Sequence, residues 1–262
     1  MKALLIDTVR CTGCRGCHVA CKEWNQRPAE PTEFFAPGHG YQNPRDLSKD
    51  TWCLVTYNEV ELNGRFEWVF GKKQCMHCIV PACVTACPVA ALEKLESGPV
   101  VYHWYKCIGC RYCMLACPFQ VPRFEFDSPN PFITKCTMCA DRQEAGEIPA
   151  CAKACPTGAI VFGERDDLIR EAKTRIASNP SQYIHHIYGL EEAGGTCVLH
   201  ISNVPFEDLG YITDIPKTSF AETTRPAMEA IPAVMLGAAF VLGLSYRLRN
   251  RTRQGEEPTA QG

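Results

Sequence analysis

Cys107-Ile108-Gly109-Cys110-Arg111-Tyr112-Cys113-Met114-Leu115-Ala116-Cys117-Pro118 is the stretch on which the reading of this 262-residue chain turns. Its cysteines stand at C-x2-C-x2-C-x3-C, and proline follows the last. The pattern recurs upstream at Cys11, Cys14, Cys17 and Cys21, with Lys22 where proline would stand. It recurs at Cys75, Cys78, Cys83 and Cys87 before Pro88, with four residues after Cys78. It recurs again at Cys136, Cys139, Cys151 and Cys155 before Pro156, with eleven residues after Cys139. These groups, one to four in chain order, take sixteen of the 18 cysteines; Cys53 and Cys197 stand alone.

The spacing decides between disulfide and metal chemistry. Pairs at C-x2-C are poor disulfide partners within one loop, and zinc sites use two such pairs across a long spacer. Four-cysteine runs ending in C-x3-C-P are the ligand pattern of [4Fe–4S] clusters. A tight C-x2-C-x2-C loop wraps one cubane and turns backbone N–H groups toward its sulfurs. The fourth cysteine lies one helical turn on and serves the neighbouring cluster. The chain is therefore expected to hold four [4Fe–4S] clusters. Groups two and three are separated by only 19 residues and form one pair. Site C is then Cys75, Cys78 and Cys83 with Cys117, and site D is Cys107, Cys110 and Cys113 with Cys87. Groups one and four pair across the chain. Site A is Cys11, Cys14 and Cys17 with Cys155, and site B is Cys136, Cys139 and Cys151 with Cys21.

Composition agrees with a globular metal protein. Hydrophobic residues make up 46% and charged residues 21%, which excludes wholesale disorder. With 27 basic and 29 acidic residues the formal charge is −2, so no nucleic-acid partner is expected. Each oxidised cubane with four thiolates adds roughly −2. Arg10, Arg15, Lys22, Lys72, Lys73, Lys106, Arg111 and Lys135 lie near the cysteines and can offset that charge or simply face solvent. Cys53 and Cys197 read as small buried hydrophobes, and His77, inside C-M-H-C, as a neighbour rather than a ligand. No nucleophile motif or glycine-rich phosphate loop occurs, so no catalytic residue is assigned.

The expected fold is α+β: two ferredoxin-like units, each with two clusters, an inserted β-hairpin, and a single C-terminal transmembrane helix. Residues 1–21 and 118–177 build one unit around groups one and four, and residues 75–117 build the other. A strand is expected over 3–8. Ala91 to Leu95 and Val100 to Trp104 form a hairpin around Ser97-Gly98, and Ala159 to Phe162 a further strand. Asp166 and Asp167 are placed to cap a helix running to about Ala177. The insertion spans 22–74, where Leu54 to Val60 and Arg65 to Phe70 flank Asn63-Gly64, a strong hairpin signal. Residues 178–225, rich in turn residues, are expected to wrap the surface or contact partners.

Ala230 to Tyr246 carries no charge over 17 residues, the lower limit for a spanning helix, and the anchor is set at 226–248. Pro232 falls in its expected first turn. Gly237, Ala238, Ala239 and Gly243 give a small-residue face suited to another helix, and Tyr246 sits at the interface. Arg247, Arg249, Arg251 and Arg253 follow, so the tail, 249–262, is read as cytoplasmic and the cysteine-bearing domain as periplasmic at the inner membrane. Met1 to Asp7 resembles neither a secretory signal nor a twin-arginine signal. Export folded, on a partner that carries the signal, is the expected route.

Stretches outside the cysteines carry a resemblance. Cys21-Lys22-Glu23-Trp24-Asn25, Asn43-Pro44-Arg45-Asp46-Leu47-Ser48 with Trp52, and Asn63-Gly64-Arg65-Phe66-Glu67-Trp68 are three of them. Cys75-Met76-His77-Cys78, and Tyr188 with Glu191 and Gly194-Gly195-Thr196, are the others. Together with the C-x2-C-x11-C-x3-C-P group they resemble four-cluster electron-transfer subunits of complex iron–sulfur molybdoenzymes. Within these the chain is most similar to the beta subunit of membrane-bound respiratory formate dehydrogenase. The resemblance implies a catalytic partner with a molybdenum or tungsten pterin, exported by the twin-arginine route. It also implies a membrane cytochrome b subunit that reduces quinone and packs against the anchor helix. The equivalent subunit of a periplasmic [NiFe] hydrogenase or another molybdoenzyme, and a free membrane-tethered polyferredoxin, are the competing readings.

Overall fold

Lys2-Ala3-Leu4-Leu5-Ile6-Asp7 is apolar without alternation, the pattern of a strand covered on both faces. In the computed structural model, which describes residues 1–33, 41–62, 64–128 and 131–254, this segment is β1 (Lys2–Asp7), and Ala3 to Asp7 are 0–3% exposed. The chain then enters the first cysteine loop and α1 (Gly16–Trp24). The hairpin of β2 (Cys53–Leu62) and β3 (Arg65–Gln74) follows, paired from Cys53↔Gln74 to Leu62↔Arg65. Gly64 takes the positive φ its turn requires; Asn63 lies outside the described residues.

Groups two and three bring α2 (Ala82–Thr85), the hairpin β4 (Leu92–Lys94) with β5 (Val100–Tyr102), and α3 (Tyr112–Ala116). A short pair, β6 (Arg123–Phe124) with β7 (Ile133–Thr134), leads to α4 (Ala140–Glu144) and α5 (Ala150–Lys153) of group four. Next come β8 (Ile160–Glu164), α6 (Arg165–Ser178) and β9 (Val198–Ile201). The central sheet has the order β8-β1-β9, with β8 antiparallel (Leu4↔Phe162) and β9 parallel (Leu4↔Val198) to β1. The buried residues of α6, Leu168, Ala172 and Ile176, fall four apart and form one stripe.

Three expectations change. Residues 178–225 are not only a surface wrap. They supply β9 and the fully buried Tyr188, Phe206 and Leu209. Three apolar residues and His200, set among turn residues, show no period, and so the strand was hidden. Asp166 and Asp167 lie in the first turn of α6, after the cap position at Glu164, where they act on the positive end of the helix instead of capping it. Pro232 is not in a first turn, because α7 (Phe220–Gln254) begins ten residues before the charge-free run and includes Pro226 and Pro232 in its interior. Each of the two prolines removes one helical N–H bond there.

Among the described residues, those up to Ala221 form one folded unit and those from Glu222 to Gln254 a second. The two expected ferredoxin-like units thus share a single body. One joint is visible where the β4–β5 turn meets β1: Lys2 N–H donates to Ser97 O at 2.7 Å, and Gly98 adopts φ +127° with no room for a side chain. A Cβ at Gly98 would stand 2.3 Å from Lys2 O. Gly98→Ala is expected to lower stability by about 1–3 kcal/mol, since both backbone and neighbour resist it. Thermal unfolding of the variant beside Gly64→Ala, where nothing crowds the added carbon, isolates the steric part. Equal losses would refute it.

The segment Phe220–Asn250 is long and apolar enough to cross a membrane, its most apolar 18-residue window having mean hydropathy 1.9. Its apolar side chains, Leu236 and Phe240 among them, are exposed. Residues 255–262, most of the expected tail, lie outside the described residues.

Candidate iron–sulfur sites

The four cysteine loops share a backbone solution. The second residue after the first cysteine of each group, Gly13, His77, Gly109 or Met138, has positive φ. That conformation turns successive N–H groups inward, and Gly109 N–H and Met138 N–H reach the sulfurs of Cys107 and Cys136 at 3.4 and 3.3 Å. Glycine meets this demand in two loops, while His77 and Met138 are held there by burial, at 0% and 1% exposed. His77 Nδ1 accepts the Val100 N–H at 2.8 Å, so that side chain braces β5.

The proline after the last cysteine also has a reason. Cys87-Pro88-Val89-Ala90, Cys117-Pro118-Phe119-Gln120 and Cys155-Pro156-Thr157-Gly158 are tight turns. Each closes from the fourth residue's N–H to the cysteine carbonyl, at 3.3, 3.1 and 3.4 Å. Proline presets φ for such a turn. Group one has Lys22 instead, and α1 runs nine residues where α2, α3 and α5 run four or five.

The thiols gather as four sets. Cys11, Cys14, Cys17 and Cys155 line one cavity of about 430 Å³. Cys21, Cys136, Cys139 and Cys151 line another of about 330 Å³, together with Cys53. Cys87, Cys107, Cys110 and Cys113 line a third of about 310 Å³. In the fourth set burial pushes the Cys78 thiol well up, and the fields of Cys75, Cys117 and Cys83 add to it. The fourth cysteine of each group therefore stands with the first three of another.

Neighbouring sets touch in single file. Cys53 joins A to B. Its Sγ lies 3.8 Å from the Cys17 carbonyl, while its side chain lines the site B cavity. Cys136 of site B and Cys75 of site C share one buried cluster with Leu47, Leu54 and Val121. Cys113 of site D is buried in a cluster against which Cys83 of site C packs. The order is A, B, C, D.

These walls suit a cluster better than a single ion. Among the described residues no three His, Cys, Asp or Glu side chains converge on one point, as mononuclear zinc would require. Four thiols around a partly apolar hollow, with N–H groups aimed at sulfur, fit a cubane with sulfide corners.

Comparison with known proteins agrees. Residues 10–91 and 66–165 each match a family model described as a 4Fe-4S dicluster domain. A protein of Nitratidesulfovibrio vulgaris (strain Hildenborough) is 43% identical over 95% of this chain and 66% of its own length. The nitrate-inducible formate dehydrogenase iron-sulfur subunit of Escherichia coli (strain K12) is 41% identical over 76% of this chain and 67% of its own. The hydrogenase-2 operon protein HybA of Escherichia coli O157:H7 is 34% identical over 95% and 84%. The chain belongs to the family of formate dehydrogenase iron–sulfur subunits. It spans about two thirds of the length of the first two relatives. It is a 4Fe-4S electron-transfer subunit of this family.

Two features were not assigned from sequence. Cys53 is buried, as expected of a small hydrophobe, but it faces cysteines of two sites. The hairpin of residues 22–74 is less an insertion than a wall, since its base carries Cys53, Lys72 and Gln74 and runs directly into Cys75. The available signal was the period of two in β3, which sets Phe70, Lys72 and Gln74 on one face.

Proposed function

We propose that this chain holds four [4Fe–4S] clusters at sites A to D and relays electrons along them to the membrane. The donor is a catalytic subunit with a molybdenum or tungsten pterin that oxidises formate. The acceptor is a membrane cytochrome b subunit that reduces quinone. The observation that carries the reading is the single file of four thiol sets. When bound, the clusters supply one-electron redox chemistry. The chain contributes the ligand thiolates, the N–H···S bonds and the dry walls that set each potential.

Electrons are read as entering at one end of the row and leaving at the other. Ser219, two residues before the folded unit ends at Ala221, donates to Val80 O at 2.6 Å, beside Cys78 of site C. The apolar helix follows in sequence. Arg247, Arg249, Arg251 and Arg253 support a single pass with a cytoplasmic tail and the folded unit on the periplasmic face of the inner membrane. A small-residue face at Gly237, Ala238, Ala239 and Gly243 supports packing of the helix against the cytochrome subunit.

The match to a hydrogenase-2 operon protein over 95% of this chain supports a second donor, a hydrogenase catalytic subunit. The complex, extracted in detergent from anaerobically grown membranes and captured through this chain, is expected to reduce viologen with formate and to contain a large pterin-bearing subunit. Activity with hydrogen in place of formate would transfer the wire to the second donor. Failure with both would remove the formate assignment.

A further inference from the structure

Lys72 stands out among the eight basic residues near the cysteines. Arg10 reaches Asp7, Arg15 reaches Tyr57, Lys22 reaches Glu30 and Lys73 reaches Asp46. Lys106 lies over Tyr105, Arg111 over Phe124, and Lys135 Nζ is bonded to the carbonyls of Val100 and Cys136. Lys72 is only 4% exposed, and its Nζ makes no hydrogen bond at ordinary geometry. No carboxylate pairs with it among the described residues.

The fold has placed this side chain firmly. On β3 it pairs with Val55 of β2, and the Tyr211 hydroxyl clamps its backbone, accepting from Lys72 N–H at 2.9 Å and donating to Lys72 O at 3.0 Å. The side chain lines the cavity of Cys11, Cys14, Cys17 and Cys155. The groups that favour its charge are the sulfurs of Cys53, Cys151, Cys17 and Cys136, which lie at or between sites A and B. In return its charge favours the thiolates of Cys11, Cys17, Cys21, Cys136, Cys139 and Cys151. The thiols of Cys78 and Cys83 in site C respond to Lys94 and Lys135 instead.

A buried ammonium without an anion is costly, and such groups persist where a partner charge is supplied. We propose that the Lys72 ammonium is a built-in counter-charge shared by sites A and B, and that it raises the reduction potentials of both clusters. The inference rests on the cluster assignment above. Reduction takes a cubane with four thiolates from roughly −2 to roughly −3. A fixed cation therefore stabilises the reduced form more than the oxidised one. Clusters A and B are thereby held as better electron acceptors.

The test is an EPR-monitored redox titration of the purified complex carrying Lys72→Met, Lys72→Gln or Lys72→Arg. Iron content and the wild-type spectrum first establish that four clusters are present, which separates failure of the cluster assignment from failure of this inference. Both neutral variants are expected to make reduction of clusters A and B roughly tenfold less favourable, about 59 mV for one electron. Lys72→Arg is expected to hold near wild type, and clusters C and D to stay unchanged in all three. Unchanged potentials at A and B in a fully loaded neutral variant would overturn the proposal, and so would an equal shift at all four clusters. If the neutral variants lose clusters A and B while Lys72→Arg keeps them, the counter-charge is supported. Loss in Lys72→Arg as well would overturn it, leaving Lys72 a packing element.

Discussion

Cys21→Ser is expected to remove or convert the cluster held by Cys136, Cys139 and Cys151, which begin 115 residues further along the chain, and to leave the cluster of Cys11, Cys14 and Cys17 in place. The reason is the short helix between Cys17 and Cys21. One turn of α1 carries Cys21 away from its own loop and toward α5, which packs against α1 and bears Cys151. Cys21 lines the site B cavity and is absent from the site A cavity, whereas Cys155 of group four lines site A. Cys155→Ser is thus the mirror experiment, with its effect on the group-one cluster. Each variant should lose about a quarter of the bound iron, or convert one cluster to a three-iron form, with one set of EPR signals changed. If Cys21→Ser and Cys14→Ser change the same signals, the crossing of groups one and four is wrong.

The gathering of the thiols into four sets was legible because their spacing is local: a loop of seven residues with three thiols has few other uses, and the exchange of the fourth follows from one helical turn. The strands at Leu92–Lys94 and Val100–Tyr102 were legible as two short runs flanking the Ser97-Gly98 turn. What the sequence did not disclose depends on distant partners. Val198–Ile201 is a strand because it completes a sheet with β1, some 190 residues earlier in the chain. Lys72 differs from Lys73 only in facing inward, and a charge-based reading treats the two alike until the pleat of β3 separates them. Pro232 read as a first-turn residue because charge-free composition marks a membrane core, while the helix itself extends through Glu222, Arg225 and Glu229 on residues that favour helix without being apolar.

Asp7 is where the largest loss of stability is expected. Its side chain is fully buried at the end of β1, one residue before the turn into the first cysteine loop. It accepts from Arg175 Nη1 and the Tyr183 hydroxyl, both at 2.9 Å, and from the N–H groups of Val9 and Arg10 at 3.1 and 3.3 Å. One carboxylate thus joins the central strand, the last turn of α6 and the segment after it, and shapes the entry to site A. Asp7→Ala leaves the Arg175 guanidinium, itself only 10% exposed, with Glu171 as its remaining carboxylate partner, and removes the acceptor of two backbone N–H groups. A loss of about 3–5 kcal/mol is the usual consequence of breaking a buried pair on one side. Asp7→Asn keeps the shape and one acceptor oxygen and is expected to cost less. Glu164 provides the contrast, because its ion pairs with the N-terminus and Lys2 lie in solvent, and Glu164→Gln should leave stability nearly unchanged. Cluster proteins unfold irreversibly, so the comparison is a rate, the loss of visible absorbance at fixed temperature under anaerobic conditions. Because Thr8 begins the turn that delivers Cys11, the Asp7 variant should lose cluster A ahead of the others. Simultaneous loss of all four would mean that the central sheet, not the loop entry, is what the carboxylate holds.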